Sequence, residues 1–157
     1  MKMFLKYKNQ KGFSLVELMI VIAILAILAA VAVPSLQRFA INSDLRSAAR
    51  AIQGDFFDLK ERAISENRRY AITFNVNSST YSIEQPPGTV IETRDLRIYR
   101  DDIVITSASF AGGIPSVTFQ TRGTVSGTGG SVSIKNILNS TATIRINITG
   151  KTSVQYD

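Results

Sequence analysis

The chain has no cysteine and no histidine among its 157 residues. Without cysteine there is no disulfide, no thiolate nucleophile and no cysteine-based metal site. The lipid-bearing cysteine of a bacterial lipoprotein is excluded as well. Without histidine the chain lacks the usual general base, the imidazole of a nucleophilic triad and the commonest metal ligand. Catalysis would have to rest on carboxylates, Lys, Tyr or Ser. Asp101 and Asp102 are adjacent, but neighbouring side chains of a strand point to opposite faces, so the pair suits a turn or strand start better than an acid–base dyad. The expectation is a protein that is not an enzyme and needs neither cofactor nor metal.

Negative charge is missing from the first 12 residues, which carry Lys2, Lys6, Lys8 and Lys11. The net charge is +6, yet from Phe13 onward 14 Lys and Arg face 12 Asp and Glu, leaving only +2. The basic character therefore belongs mostly to the N-terminal end. That distribution is weak support for a nucleic-acid surface and better support for topology, because Lys-rich flanks stay cytoplasmic.

Other motifs carry no chemistry. "GTVSGTGG" (residues 123–130) lacks the Gly-Lys-Ser/Thr ending of a phosphate-binding loop, and no helix follows it. A mobile hairpin is the expected structure there. The Asn-x-Ser/Thr triplets at Asn77, Asn139 and Asn147 act as glycan acceptors only in a suitable secretory pathway.

What the chain does have is one long apolar run. Leu18 to Val33 is 16 residues without interruption, and Phe13 to Val33 makes a 21-residue segment. As a helix it is about 31 Å long, close to the ~30 Å hydrocarbon layer of a bilayer. Its side chains are apolar all round, unlike a surface helix of a soluble domain. A cleaved secretory signal and a plain single-span anchor both fit the basic start and the run. Neither accounts for the Gly12-Phe13 junction followed by Ser14, Leu15, Val16 and the carboxylate of Glu17.

The stretch "KGFSLVELMIVIAILAILAAVAVPS" resembles the N-terminal motif of type IV prepilins. The resemblance implies a leader, residues 1–12, removed after Gly12 by a prepilin peptidase on the cytoplasmic face. It implies N-methylation of the new terminus, Phe13. It further implies that Glu17 pairs in a filament with the Phe13 amine of a neighbouring subunit. A carboxylate deep in a bilayer costs about 2.5–3.5 kcal/mol on insertion scales, and an ammonium beside it offsets much of that cost. Solvation of Glu17 among the headgroups is the simpler alternative. Pro34 is expected to kink or end the helix, or to mark the exit from the membrane.

Residues 35–68 read as an amphipathic continuation of the helix. Ile41, Leu45, Ala48, Ile52, Phe56, Leu59 and Ala63 form its apolar stripe. Residues 69–157 read as a β-rich head of about eight short strands: "RYAITFNV", "TYSIE", "DLRIYR", "DIVITSA", "SVTFQ", "SVSIKN", "TATIRINI" and "KTSVQ". The strands "SVTFQTRGTVSGTGGSVSI" and "TATIRINITGKTSV" are similar to those of the GspH/FimT group of minor pilins and pseudopilins. This implies an α+β, type IV pilin-like fold. Its long N-terminal helix has a transmembrane lower half (residues 13–34) and packs on a head of two antiparallel sheets.

The implied role is assembly or priming of a type IV pilus or a type II secretion pseudopilus. The implied partners are the inner membrane, with the head in the periplasm or outside the cell, prepilin peptidase and other pilins. Two alternatives stand beside it: a membrane-anchored β-domain with no filament role, and a DNA-binding tip pilin. For the latter, Arg122, Arg145 and Lys151 are the candidate contacts, with Arg94, Arg97 and Arg100 able to join them if they converge in space. The expected Gly-Arg-x-Arg core is represented only by Gly150, Lys151, Thr152 and Ser153. Arg68 and Arg69 are better explained by the favourable placement of cations at a helix C-terminus.

Overall fold

A computed structural model describes residues 12–157 of the chain. The expected leader therefore lies, except for Gly12, outside the described residues. Two compact units meet at the Gln37–Arg38 junction. Helix α1 (Leu15–Ser65) begins in the first and ends in the second. Ser14 starts it: its Oγ accepts from the Val16 N–H at 3.3 Å, and its carbonyl accepts from Leu18. The first bond satisfies a donor that a helix N-terminus otherwise leaves open, and the second is the first bond of the helical ladder. In the first unit every described residue is exposed. The helix is long and apolar enough there to cross a membrane. Pro34 does not end it, because α1 continues past it to Ser65. A proline removes one backbone hydrogen bond, a loss a long helix can absorb.

In the second unit α1 is amphipathic. Leu45, Ala48, Ala49, Ile52, Phe56, Leu59 and Ala63 are buried. The stripe read from the sequence is the packed one; Ala49 joins it and Ile41 is only half-buried. Eight strands follow: β1 (Tyr70–Phe74), β2 (Thr80–Glu84), β3 (Val90–Asp95), β4 (Val104–Ser109), β5 (Ser116–Phe119), β6 (Gly129–Lys135), β7 (Thr141–Asn147) and β8 (Thr152–Tyr156). They form two four-stranded sheets in the orders β3-β2-β1-β5 and β4-β6-β7-β8. All named pairings are antiparallel. The α+β, type IV pilin-like architecture expected from the sequence is the one observed.

Alternation supplies the inner faces. Ile72 and Phe74 of β1, Tyr81 and Ile83 of β2, and Val117 and Phe119 of β5 are buried on one sheet. Ile105, Val132, Ile134, Ala142, Ile144 and Ile146 are buried on the other. Phe56 brings helix and strands together. Its ring stands 6.0 Å from Phe74, 6.4 Å from Phe110 and 6.1 Å from Phe119. The first two contacts are edge-to-face, a favoured geometry for aromatic quadrupoles. Asn136 is the buried polar side chain of the described residues. Its Nδ2 donates to Asn42 of α1, and its Oδ1 accepts from Leu138 and Ser140.

Two expectations are corrected. "DLRIYR" is not a strand: Leu96–Ile98 forms a 3-10 turn, and its N-cap Asp95 accepts from the Arg97 N–H. The strand lies just before it, at β3, which pairs with β2 through Thr80–Asp95 to Glu84–Val90. Only Leu96 of the turn is buried, so the apolar alternation that suggested a strand had no second face to serve. The glycine-rich hairpin is also shorter than expected, because Gly129 and Gly130 belong to β6. A Cβ on Gly130 would stand 2.2 Å from the Ser109 carbonyl oxygen and 2.5 Å from the Phe110 Cα. Glycine is what allows β4 and β6 to approach there.

A polar link ties α1 to the first sheet. The Tyr81 hydroxyl donates to Asp55 Oδ2 at 2.6 Å, and Arg94 Nε stands 3.5 Å from the same oxygen. Burial raises the Asp55 carboxyl above its usual range, opposed by the Tyr81 hydrogen bond and by Arg94. Burial likewise pushes the Tyr81 phenol well up. Tyr81→Phe should therefore raise the Asp55 pKa further and cost about 1–3 kcal/mol, since a partly buried carboxylate loses its best donor. Because the folded pKa is raised, Asp55 favours the folded state below its unfolded value and loses that contribution as pH rises through the folded value. Urea unfolding across the mildly acidic range checks both. An unchanged acid-side profile in the variant would refute the link.

Candidate functional site

The motif residues sit at the start of α1. Gly12 and Phe13 precede the helix and are exposed, Phe13 by 77%. Glu17 lies in the first turn. Ser14 and Glu17 have capping-box spacing, a sufficient local reason for a carboxylate near a helix N-terminus. Ser14's capping role was not anticipated from the sequence, although the Ser-x-x-Glu signal was present. No ion pair of the described residues includes Glu17.

The cations proposed for phosphate contact divide into two sets. Arg94 pairs with Glu92 at 2.8 Å and with Asp55. Arg97 pairs with Asp95 at 2.6 Å. Arg100 pairs with Asp102 at 3.0 Å and with Asp44 at 3.4 Å. These three are paired with carboxylates where they stand. Asp101 and Asp102 fall in a turn, and Asp102 serves Arg100 rather than a partner carboxylate.

Arg122, Arg145 and Lys151 are exposed, and none enters an ion pair of the described residues. Arg145 and Lys151 line one open cleft of about 600 Å³ with Ser131 and Ser153. Arg122 lies outside it, in the turn before Gly123. Two cations in an open cleft hold an anionic group but do not make a phosphate track, which needs several converging contacts. Among the described residues no cluster of three acidic side chains is arranged to hold a metal ion.

Residues 7–33 match the prokaryotic N-terminal methylation motif. A fimbrial protein of Pseudomonas aeruginosa is 33% identical over 85 residues, 54% of this chain and 54% of that protein. The type IV major pilin protein PilE1 of Neisseria gonorrhoeae is 33% identical over 81 residues, 52% of this chain and 46% of that one. The chain thus spans about half the length of the curated relatives it matches. Among solved structures, the minor pseudopilin EpsH of the Vibrio cholerae type 2 secretion system superposes with a TM-score of 0.55 at 12% identity. That superposition covers 72% of this chain and 97% of EpsH. The type IV minor pilin FimU of P. aeruginosa gives 0.58 at 18% identity, covering 74% and 92%. At such identities the likeness is one of fold. The chain thus carries the prokaryotic N-terminal methylation motif, and its fold is that of the minor pseudopilin EpsH and the minor pilin FimU.

Proposed function

We propose that the chain is a minor pilin or pseudopilin, a structural subunit that helps assemble or prime a type IV pilus or a type II secretion pseudopilus. The observation that carries the reading is the motif itself: a Lys-rich start, Gly12-Phe13, and Glu17 in the first turn of an apolar helix. Prepilin peptidase removes residues 1–12, and the Phe13 amine is methylated. Before assembly the protein is a single-pass inner-membrane protein with its N-terminus cytoplasmic and its head on the opposite side. The domain division follows: leader 1–12, membrane and assembly helix 13–34, amphipathic helix 35–68, head 69–157. The work is structural, and partners are other pilins.

Glu17 provides the register. Cleavage creates an ammonium at Phe13, and a neighbour's ammonium beside Glu17 neutralises a carboxylate that the hydrocarbon layer penalises. The apolar side chains of the lower helix, unpacked within the protein, are covered by neighbouring helices in a filament.

Intact mass of the protein extracted from its native membrane tests the processing. The expected species begins at Phe13 and carries one added methyl group. A chain still beginning at Met1 would defeat the proposal and leave a tethered β-domain.

A further inference from the structure

We propose that the side of the head where Lys60, Arg122 and Lys151 come together is a docking surface for a protein partner presenting carboxylates interspersed with apolar side chains. The inference rests on the surface of the head alone and stands whether or not the filament reading holds.

Two glycine turns bring the cations together. A Cβ built on Gly123 would stand 3.3 Å from Lys60 Cε, and one built on Gly150 would stand 3.0 Å from Lys60 Cδ. The same Gly150 position is 2.9 Å from the Gly123 carbonyl oxygen. The stem of Lys60 therefore lies across both turns. Both glycines have positive φ, +76° and +73°, a region that side chains other than glycine's rarely adopt. Arg122 precedes one and Lys151 follows the other. Lys151 in turn shares its cleft with Arg145. Cations from α1 and two turns thus come together on one side, while Arg145, between the inward-facing Ile144 and Ile146, lies on the outer face of β7. None takes part in an ion pair of the described residues, whereas Arg94, Arg97 and Arg100 all do. Unpaired, converging positive charge calls for carboxylate or phosphate from outside the chain.

Two features favour a protein over a nucleic acid. Phe57, Lys60 and Ile64 follow one another at spacings of three and four along α1, which makes a single stripe. Phe57 is 64% exposed and Ile64 45%. Large apolar side chains beside unpaired cations suit an amphipathic protein surface. Asp58 and Glu61, exposed on either side of Lys60 in the helix, would repel a continuous phosphate backbone. They leave room for discrete carboxylates placed at the cations.

The test uses the full chain in nanodiscs of zwitterionic lipid. The probe is a fluorescent helical peptide with Glu along one face and Leu along the adjoining one; polyglutamate and a short DNA duplex are compared with it. The peptide should bind more tightly than polyglutamate, and its affinity should fall about tenfold from low to physiological salt. Lys60→Glu combined with Arg122→Glu should weaken it by about tenfold or more, while Arg50→Glu combined with Arg69→Glu leaves it unchanged. Phe57→Ser should weaken the peptide but not polyglutamate. Circular dichroism reports folding; if the charge reversals disturb it, Lys60→Gln with Arg122→Gln takes their place. Peptide affinity unaffected by loss of the two cations, or absence of peptide binding, overturns the proposal. Tighter binding of the duplex, indifferent to Phe57→Ser, overturns it in favour of nucleic acid.

Discussion

Phe56→Ala is expected to lower the stability of the head by about 3–5 kcal/mol, the range for removing a fully buried aromatic. Phe56 is 1% exposed, and its ring meets Phe74 and Phe119 of one sheet together with Phe110. The small side chain leaves a void that three rigid rings cannot close by small shifts, so the cavity cost adds to the lost transfer energy. A single domain has roughly 5–15 kcal/mol in total, so the variant stands near the threshold of folding. A fall in melting temperature of about 10–20 °C, followed by tyrosine fluorescence or circular dichroism, is the expected reading. Phe57→Ala, one position further on, should cost little, because that side chain is largely in solvent. Equal effects at the two positions would mean that α1 does not pack on the sheets by the Phe56 face.

Glu17→Ala should leave membrane insertion and removal of residues 1–12 intact but sharply reduce incorporation into filaments. Insertion improves, since a carboxylate in the hydrocarbon layer costs about 2.5–3.5 kcal/mol and alanine removes it. Assembly suffers for the converse reason. Under the pairing proposed above, the ammonium of the neighbouring subunit's Phe13 then enters the apolar layer with no counter-charge. A penalty of that size is on the order of a hundredfold in an assembly equilibrium. Fractionation of cells into membrane and sheared filaments, with detection of the processed chain in each, measures both effects. Wild-type levels of the variant in filaments would remove the pairing role and leave Glu17 as a helix-capping residue beside Ser14.

The glycine turns connect fold to surface. Gly123 and Gly150 have the backbone geometry that lets two loops close on Lys60, so the position of Arg122 and Lys151 depends on packing around residues with no side chain. Ile64 reaches the Cβ position of Gly123 at 2.6 Å, so a larger residue there would displace the helix stripe as well as the turn. A charge pattern and a packing pattern thus share the same few positions.

How much was legible follows from where each signal resides. The apolar run, the Gly12-Phe13-Glu17 motif and the buried stripe of α1 are patterns of near neighbours in the chain, and their periods are set by backbone geometry. Seven of the strands were readable because one face of each is buried or paired with regular alternation. β3 was not: its residues from Val90 to Arg94 are exposed, so pairing with β2 alone makes it a strand. Conversely, Leu96 is buried in a turn, and one buried side chain among exposed neighbours imitated an alternation. No local pattern records such an edge.

The amino-acid order by itself determined an apolar helix of membrane-spanning length, an amphipathic helix and a β-rich head, because span length, helical period and strand alternation are all short-range. Only the tertiary structure decided which cations are spent and which are free. Arg94 meets Asp55 and Arg100 meets Asp44 across long stretches of chain, while Lys60 is brought to Arg122 and Lys151 by two turns far from it in sequence. Electrostatic attraction acts through space, and the distances it depends on exist only once the chain has folded.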